Sequence, residues 1–207
     1  MTYFRRVSDR SRGRPGPGEQ RPGDTGYRFV ARFTAADAAL LRELVIQIAQ
    51  LVGGPSAMEG GGGDYEAPGD LADLRALAED PGLPEDPALA RLLPDAYRDD
   101  PEASGEFRRY TEQDLRAGKV AAARAVLATL PEDGGRISLS HSEAQSWMRA
   151  INDIRLALGV RLDVSEDVTE QIDRLAQDDP RYAMLAVYDW LSGTLESLVE
   201  ALSAGGR

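Results

Sequence analysis

The chain has no cysteine and a single histidine, His141. The first absence removes disulfides, thiolate zinc sites, iron–sulfur clusters and thiol redox chemistry. The second removes every metal signature built on paired histidines and leaves a Ser-His-Asp triad only His141 to draw on. Lysine is nearly missing as well: of 24 cationic side chains, 23 are Arg and one is Lys119. With heavy use of Ala and Gly, that bias reads as a GC-rich genome rather than an adaptation to a ligand. Long apolar runs are also lacking, and none approaches the ~20 residues of a membrane span.

What remains is enough for a core. The chain has 207 residues, 42% hydrophobic and 29% charged, and is expected to form one domain over 1–207. Its net charge of −11 is unevenly placed. Residues 1–32 hold eight Arg against Asp9, Glu19 and Asp24, a local +5 that leaves −16 for the other 175 residues. Such an acidic body repels phosphates, so sequence-specific duplex DNA binding by the body is not expected. Arg5-Arg6 is followed by no apolar stretch of a signal peptide, and a cytoplasmic location is expected.

Two segments, 8–26 and 53–69, are rich in Gly and Pro and read as flexible insertions within the domain. Around the first lie Tyr3–Val7 and Tyr27–Phe33. The second of these alternates, with Tyr27, Phe29, Ala31 and Phe33 on one face, the pattern of a half-buried strand. The two predict an antiparallel hairpin, and Arg136–Leu139 offers an optional third strand. The rest is helical. Thr34 with Asp37 caps a helix whose stripe is Leu41, Leu44, Ile48 and Leu51. Short helices follow at Asp70–Ala78 and Pro87–Leu93. Asp100-Pro101 opens another through about Arg109, and Thr111 with Asp114 can cap a fresh one to Leu130, which implies a break near Tyr110. Ser140 with Glu143 caps a helix that carries Trp147 and should stop at Gly159. Ser165–Gln177 is shorter and acidic. Pro180 leads into a seam of Met184, Tyr188, Leu191, Leu195, Leu198 and Leu202, which predicts a buried helix with an option of homodimer contact. The expected class is α+β, predominantly α: a helical bundle with a small N-terminal hairpin.

Chemistry-bearing motifs are sparse. Gly118-Lys119 lies within a helical pattern and is no phosphate loop, and Gly60–Gly63 precede no helix at dinucleotide-binding spacing. His141 sits at a helix start and reads as a surface residue. Most carboxylate pairs, such as Asp99-Asp100 and Asp178-Asp179, flank helix starts, where they complement the dipole. The Trp147 helix is more informative. It carries Arg149, Asn152, Asp153 and Arg155 at helical neighbour spacings. The favoured reading is a structural or docking network in which these meet Glu106, Arg108, Arg109 or the Asp95–Tyr97 loop. No catalytic, cofactor-binding or metal-ligating residue is assigned.

Two runs carry a resemblance: LLPDAYRDDPEASGEFRRYTEQDLRAGK (92–119) and WMRAINDIRLALGVRLDVSED (147–167). Together with Phe4-Arg5-Arg6 and the helix ending at Gln47–Leu51, they resemble an actinobacterial family of oxidative-stress transcriptional regulators, formerly a domain-of-unknown-function family. The resemblance spans about residues 3–7 and 27–200. It implies a non-catalytic cytoplasmic regulator of stress-responsive transcription. The implied partner is the transcription machinery, with a sigma factor in view. Family members are often encoded beside the adaptor of the Clp protease, which implies an alternative, a Clp-linked adaptor or assembly factor; a carboxylate-based hydrolase, read from this chain's own carboxylates, is the remoter choice. The family's proposed sensing through a cysteine pair cannot operate in a chain without cysteine. A helix-turn-helix at 140–159 and 165–177 would present Glu166, Asp167, Glu170 and Asp173 to DNA, which phosphates disfavour.

Overall fold

The computed structural model describes residues 2–8, 26–58, 84–97, 100–164, 168–176 and 178–204. Most of both expected insertions and the whole Asp70–Ala78 helix lie outside these residues.

Three strands form one antiparallel sheet, β1 (Arg5–Ser8), β2 (Tyr27–Phe33) and β3 (Gly135–Leu139), in the order β1-β2-β3. The optional third strand is therefore present. Arg5 faces Val30 across the first pair, and Arg32 faces Arg136 across the second. Alternation puts Phe29, Ala31 and Phe33 of β2 with Ile137 and Leu139 of β3 on the buried face. Tyr27, at the start of the strand, is instead partly exposed, with the Arg6 guanidinium 3.4 Å from its ring centroid. The outer face is not wholly polar, because Val30 is also buried.

Helix α1 (Ala35–Gly53) begins with the expected reciprocal cap between Thr34 and Asp37. Its buried stripe is Ala38, Leu41, Leu44, Val45, Ala49 and Val52. Ile48 and Leu51, expected in the core, are only half-buried: Ile48 packs against both the main core and the cluster at the short helix α2 (Pro87–Leu92), and Leu51 against that cluster. Small Ala side chains at 38 and 49 let the neighbouring elements come close, which a stripe drawn from large residues misses.

Helix α3 runs unbroken from Pro101 to Thr129, so the expected break near Tyr110 does not occur. The Thr111 hydroxyl donates to the Phe107 carbonyl one turn back and so is used inside the helix rather than as a cap. Helix α4 (His141–Arg161) carries the predicted Ser140–Glu143 box. It passes through Gly159 rather than ending there. The left-handed residue that closes it is Asp163, with φ 48°. The Asp163 N–H donates to Val160 and the Val164 N–H to Gly159, the paired bonds of a Schellman ending. Helix α5 spans Val168–Asp173; of the expected 165–177, residues 174–176 are not helical, and 165–167 and 177 lie outside the described residues. Helix α6 (Pro180–Ser203) closes the fold. Leu185 replaces Met184 as the first buried residue of its seam; Met184 is exposed and Tyr188 half-buried.

Trp147 of α4 sits at the centre with no exposed surface. Its ring meets Phe33 at 5.5 Å and Phe4 at 5.8 Å, and its indole N–H donates to Thr129 Oγ1 at 2.7 Å. That bond satisfies the polar handle of a large buried aromatic and ties the end of α3 to α4. The Phe4 N–H donates to Ser197 of α6, which fastens the start of the chain to the last helix.

Candidate functional site

The first half of α3 and the segment before it build a polar and aromatic surface. Asp100 caps α3 by accepting from the Ala103 N–H, which orients the first turn toward residues 93–97. Ser104, buried, donates to the Tyr97 carbonyl at 2.6 Å and accepts from the Tyr97 N–H at 3.0 Å. This reciprocal pair pins the loop to the helix. One turn on, Arg108 pairs with Asp95. Glu112 lies between Arg108 and Arg116, 3.9 Å and 2.7 Å away, and Arg116 also donates to the Val52 carbonyl at the end of α1. Alternating charges at i, i+4, i+8 thus fasten α3 to two other segments.

Beside this ladder the large apolar side chains are open to solvent. Tyr97 is 52% exposed, Phe107 48%, Tyr110 73% and Leu115 43%. Tyr97 and Phe107 pack edge to face with centroids 6.2 Å apart. Phe107 and Leu115 rim a cleft of about 60 Å³, and Asp95, Arg108 and Glu112 line its polar side.

The second run of the resemblance packs against the first, Ala157 against Leu92, and is joined to it by a charged bond. Lys119 Nζ of α3 lies 2.6 Å from Asp153 Oδ1 of α4, and Asp153 is only 5% exposed. Burial pushes the Asp153 carboxyl above its ordinary value, against the opposing pull of the Lys119 hydrogen bond and charge and of the Arg149 charge. Further along α4, Arg155 donates to Ser192 Oγ at 2.9 Å and to the Tyr188 hydroxyl at 3.4 Å, joining α4 to α6. Arg149 is exposed and reaches Ser146 Oγ at 3.5 Å.

The nine residues singled out in the sequence therefore fall into separate groups. Asp95, Tyr97 and Arg108 come together at α3. Asp153 pairs with Lys119, Arg155 bonds to α6, and Arg149 stays on the surface. Asn152 is half-buried, Glu106 is exposed, and the Nε of Arg109 is buried without a hydrogen-bond partner. Sequence reasoning missed Lys119, Ser104, Glu112, Arg116, Phe107 and Leu115. For Lys119 a signal existed: one ammonium kept among 23 guanidiniums, a compact cation suited to a tight helix–helix gap. For Phe107 the signal was its i, i+3 spacing to Tyr110 within the otherwise polar stretch 106–114.

The remaining motifs have local roles. Asp179 caps α6 and pairs with Arg181, which holds its carboxyl down to about 2. His141 is half-buried with its ring 5.9 Å from Phe29. Among the described residues, no group of three or more His, Asp or Glu is arranged to hold a metal ion, and no helix is long and apolar enough to cross a membrane. Asp99, Glu166 and Asp167 lie outside the described residues.

Comparison with known proteins gives a consistent relationship. The model of a family described as a domain of unknown function, DUF2017, matches residues 16–202. The oxidative stress regulators AosR of Mycobacterium tuberculosis and Mycobacterium bovis are each 35% identical over 195 residues, covering 86% of this chain and 83% of theirs. A putative oxidative stress regulator AosR of Mycobacterium leprae is 34% identical over 196 residues, 86% of this chain and 84% of its own. No solved structure matches the chain.

Proposed function

From the premise that this chain belongs to the DUF2017 family, we propose that it is a non-catalytic regulatory protein of stress-responsive transcription that works in the cytoplasm, as one domain, by binding a protein partner. The names of its relatives, oxidative stress regulators, support a regulatory role. The observation that carries the protein-binding part is the exposed Tyr97–Phe107 pair with Tyr110 and Leu115, held by the Asp95–Arg108–Glu112–Arg116 ladder. Aromatic anchors beside Arg, rimmed by polar groups on a rigid helix, have the composition of a binding hot spot. The partner we assign to it is a sigma factor. Glu170 and Asp173, both exposed on α5, disfavour duplex DNA as the partner of the acidic body.

The test is co-elution of the full chain with purified sigma factors of its host, alone and as RNA polymerase holoenzyme. A complex is expected with the wild type, weakened at least roughly tenfold by Phe107→Ser, since hot-spot truncations cost about 2 kcal/mol or more. Exclusive co-elution with the Clp adaptor would instead favour the assembly-factor reading. Because the chain has no cysteine, the complex is expected to form equally with and without a thiol reductant.

A further inference from the structure

The outer face of the sheet carries an electrostatic arrangement that the docking surface on α3 does not use. β-pairing places Arg32 and Arg136 directly opposite each other, and Arg5 faces Val30, two residues from Arg32. Directly opposed residues stand about 5 Å apart and diagonal ones about 7–8 Å, so three guanidinium stems share one small area. Like charges opposite each other weaken a sheet, and no carboxylate stands among the outward residues of these strands to relieve them. Arg28, on the same face, is satisfied internally through Ser138. Arg5, Arg32 and Arg136 are exposed, and among the described residues no ion pair or hydrogen bond engages their guanidinium groups. They line an open cavity of about 340 Å³ floored by Val30 and Ala31, with Tyr3 at its edge.

We propose that this cavity binds an acidic segment of a partner protein, with two or more carboxylates held by Arg5, Arg32 and Arg136. The inference is independent of the α3 surface and shares no residue with it. The guanidinium fork matches a carboxylate in bidentate geometry, and the spread over three strands suits successive acidic side chains of an extended peptide better than one small anion. The body beyond residue 32 carries −16. That field repels a long polyanion such as nucleic acid, whereas a short acidic peptide can sit within the local positive potential.

The experiment is fluorescence anisotropy at low salt on the full chain, with a short labelled poly-glutamate peptide, its poly-glutamine counterpart and a single-stranded oligonucleotide of matched length. Poly-glutamate is expected to bind, poly-glutamine not, and the oligonucleotide more weakly than poly-glutamate. Arg32→Gln and Arg136→Gln should each reduce poly-glutamate affinity by about three- to tenfold, with Arg91→Gln as an unchanged control. Thermal melting guards against misfolding: removing one of two opposed charges should leave the midpoint unchanged or higher. The proposal is overturned if the arginine substitutions leave peptide binding intact or lower the midpoint by several degrees. Tighter binding of the oligonucleotide overturns it too, as does self-association of the wild type that the two substitutions abolish, since that would assign the cavity to a second copy of the chain.

Discussion

Replacing Lys119 with Met removes the only ammonium that faces the buried Asp153 carboxylate. At the 2.6 Å separation, attraction between the charges is on the order of 6 kcal/mol at an effective dielectric of ~20. Desolvation of the two ions opposes it by several kcal/mol each, which is why burial wins and the Asp153 carboxyl is displaced upward despite its partner. The intact pair is thus near break-even, but a half-broken one is not. Lys119→Met leaves a carboxylate 5% exposed and without its hydrogen bond, a loss of about 3–5 kcal/mol at neutral pH. For a chain of this length that lowers the melting midpoint by about 6–20 °C. The pH dependence has a definite sign. A carboxyl raised in the folded state contributes stability that is fully present below its unfolded value of 3.8 and lost as pH rises through the folded value. Without Lys119 the folded value rises further, so the deficit should be small near pH 4 and widen toward pH 8. Urea titrations followed by circular dichroism at both pH values measure it. Lys119→Met with Asp153→Leu should return to within about 1 kcal/mol of the wild type, or exceed it. A single-variant deficit below about 1 kcal/mol at pH 8, or one equal at both pH values, would refute the reasoning.

Three further outcomes follow from the geometry. Thr129→Val strands the buried Trp147 indole N–H and should lower stability by about 1–3 kcal/mol with little change in the helical spectrum, read by denaturant unfolding. Gly134→Ala would place a Cβ 2.6 Å from the backbone of Thr34 at φ 70°, whereas Gly26→Ala, at φ 66°, meets open space. The first should lose several times the ~1 kcal/mol expected of the second, because it also disturbs the cap of α1. Asp179, held to about 2 by Arg181, should titrate well below the other carboxylates in a carbon-detected NMR series. Being depressed in the folded state, it contributes stability present above 3.8 and lost as pH falls through about 2. A midpoint near 4 would dissolve that pairing.

Some of the site was legible before the fold. Asp95, Tyr97 and Arg108 were named from the sequence and come together, because the Asp100 cap and one turn of helix already fix their relation. Arg149 and Asp153 share a helix face, but only α3 decides that the carboxylate turns inward to Lys119. The unbroken α3 escaped a local reading because Thr111 has two uses of equal local plausibility, capping the next residues or bonding back to Phe107.

The sequence by itself determined the strands, the helix starts after Thr34, Asp100, Ser140 and Asp179, though not the one it offered at Thr111, and the absence of thiol chemistry. Capping boxes, Asp-Pro pairs and period-two alternation act over one or two turns and need no distant partner. Only the tertiary structure decided which side of each amphipathic helix is core, as with Leu185 over Met184 and Val52 over Leu51. It alone also decided that the two N-terminal strands and the distant β3 bring Arg5, Arg32 and Arg136 onto one face. Burial and charge clustering depend on what the opposing element presents, and a linear pattern does not contain that element.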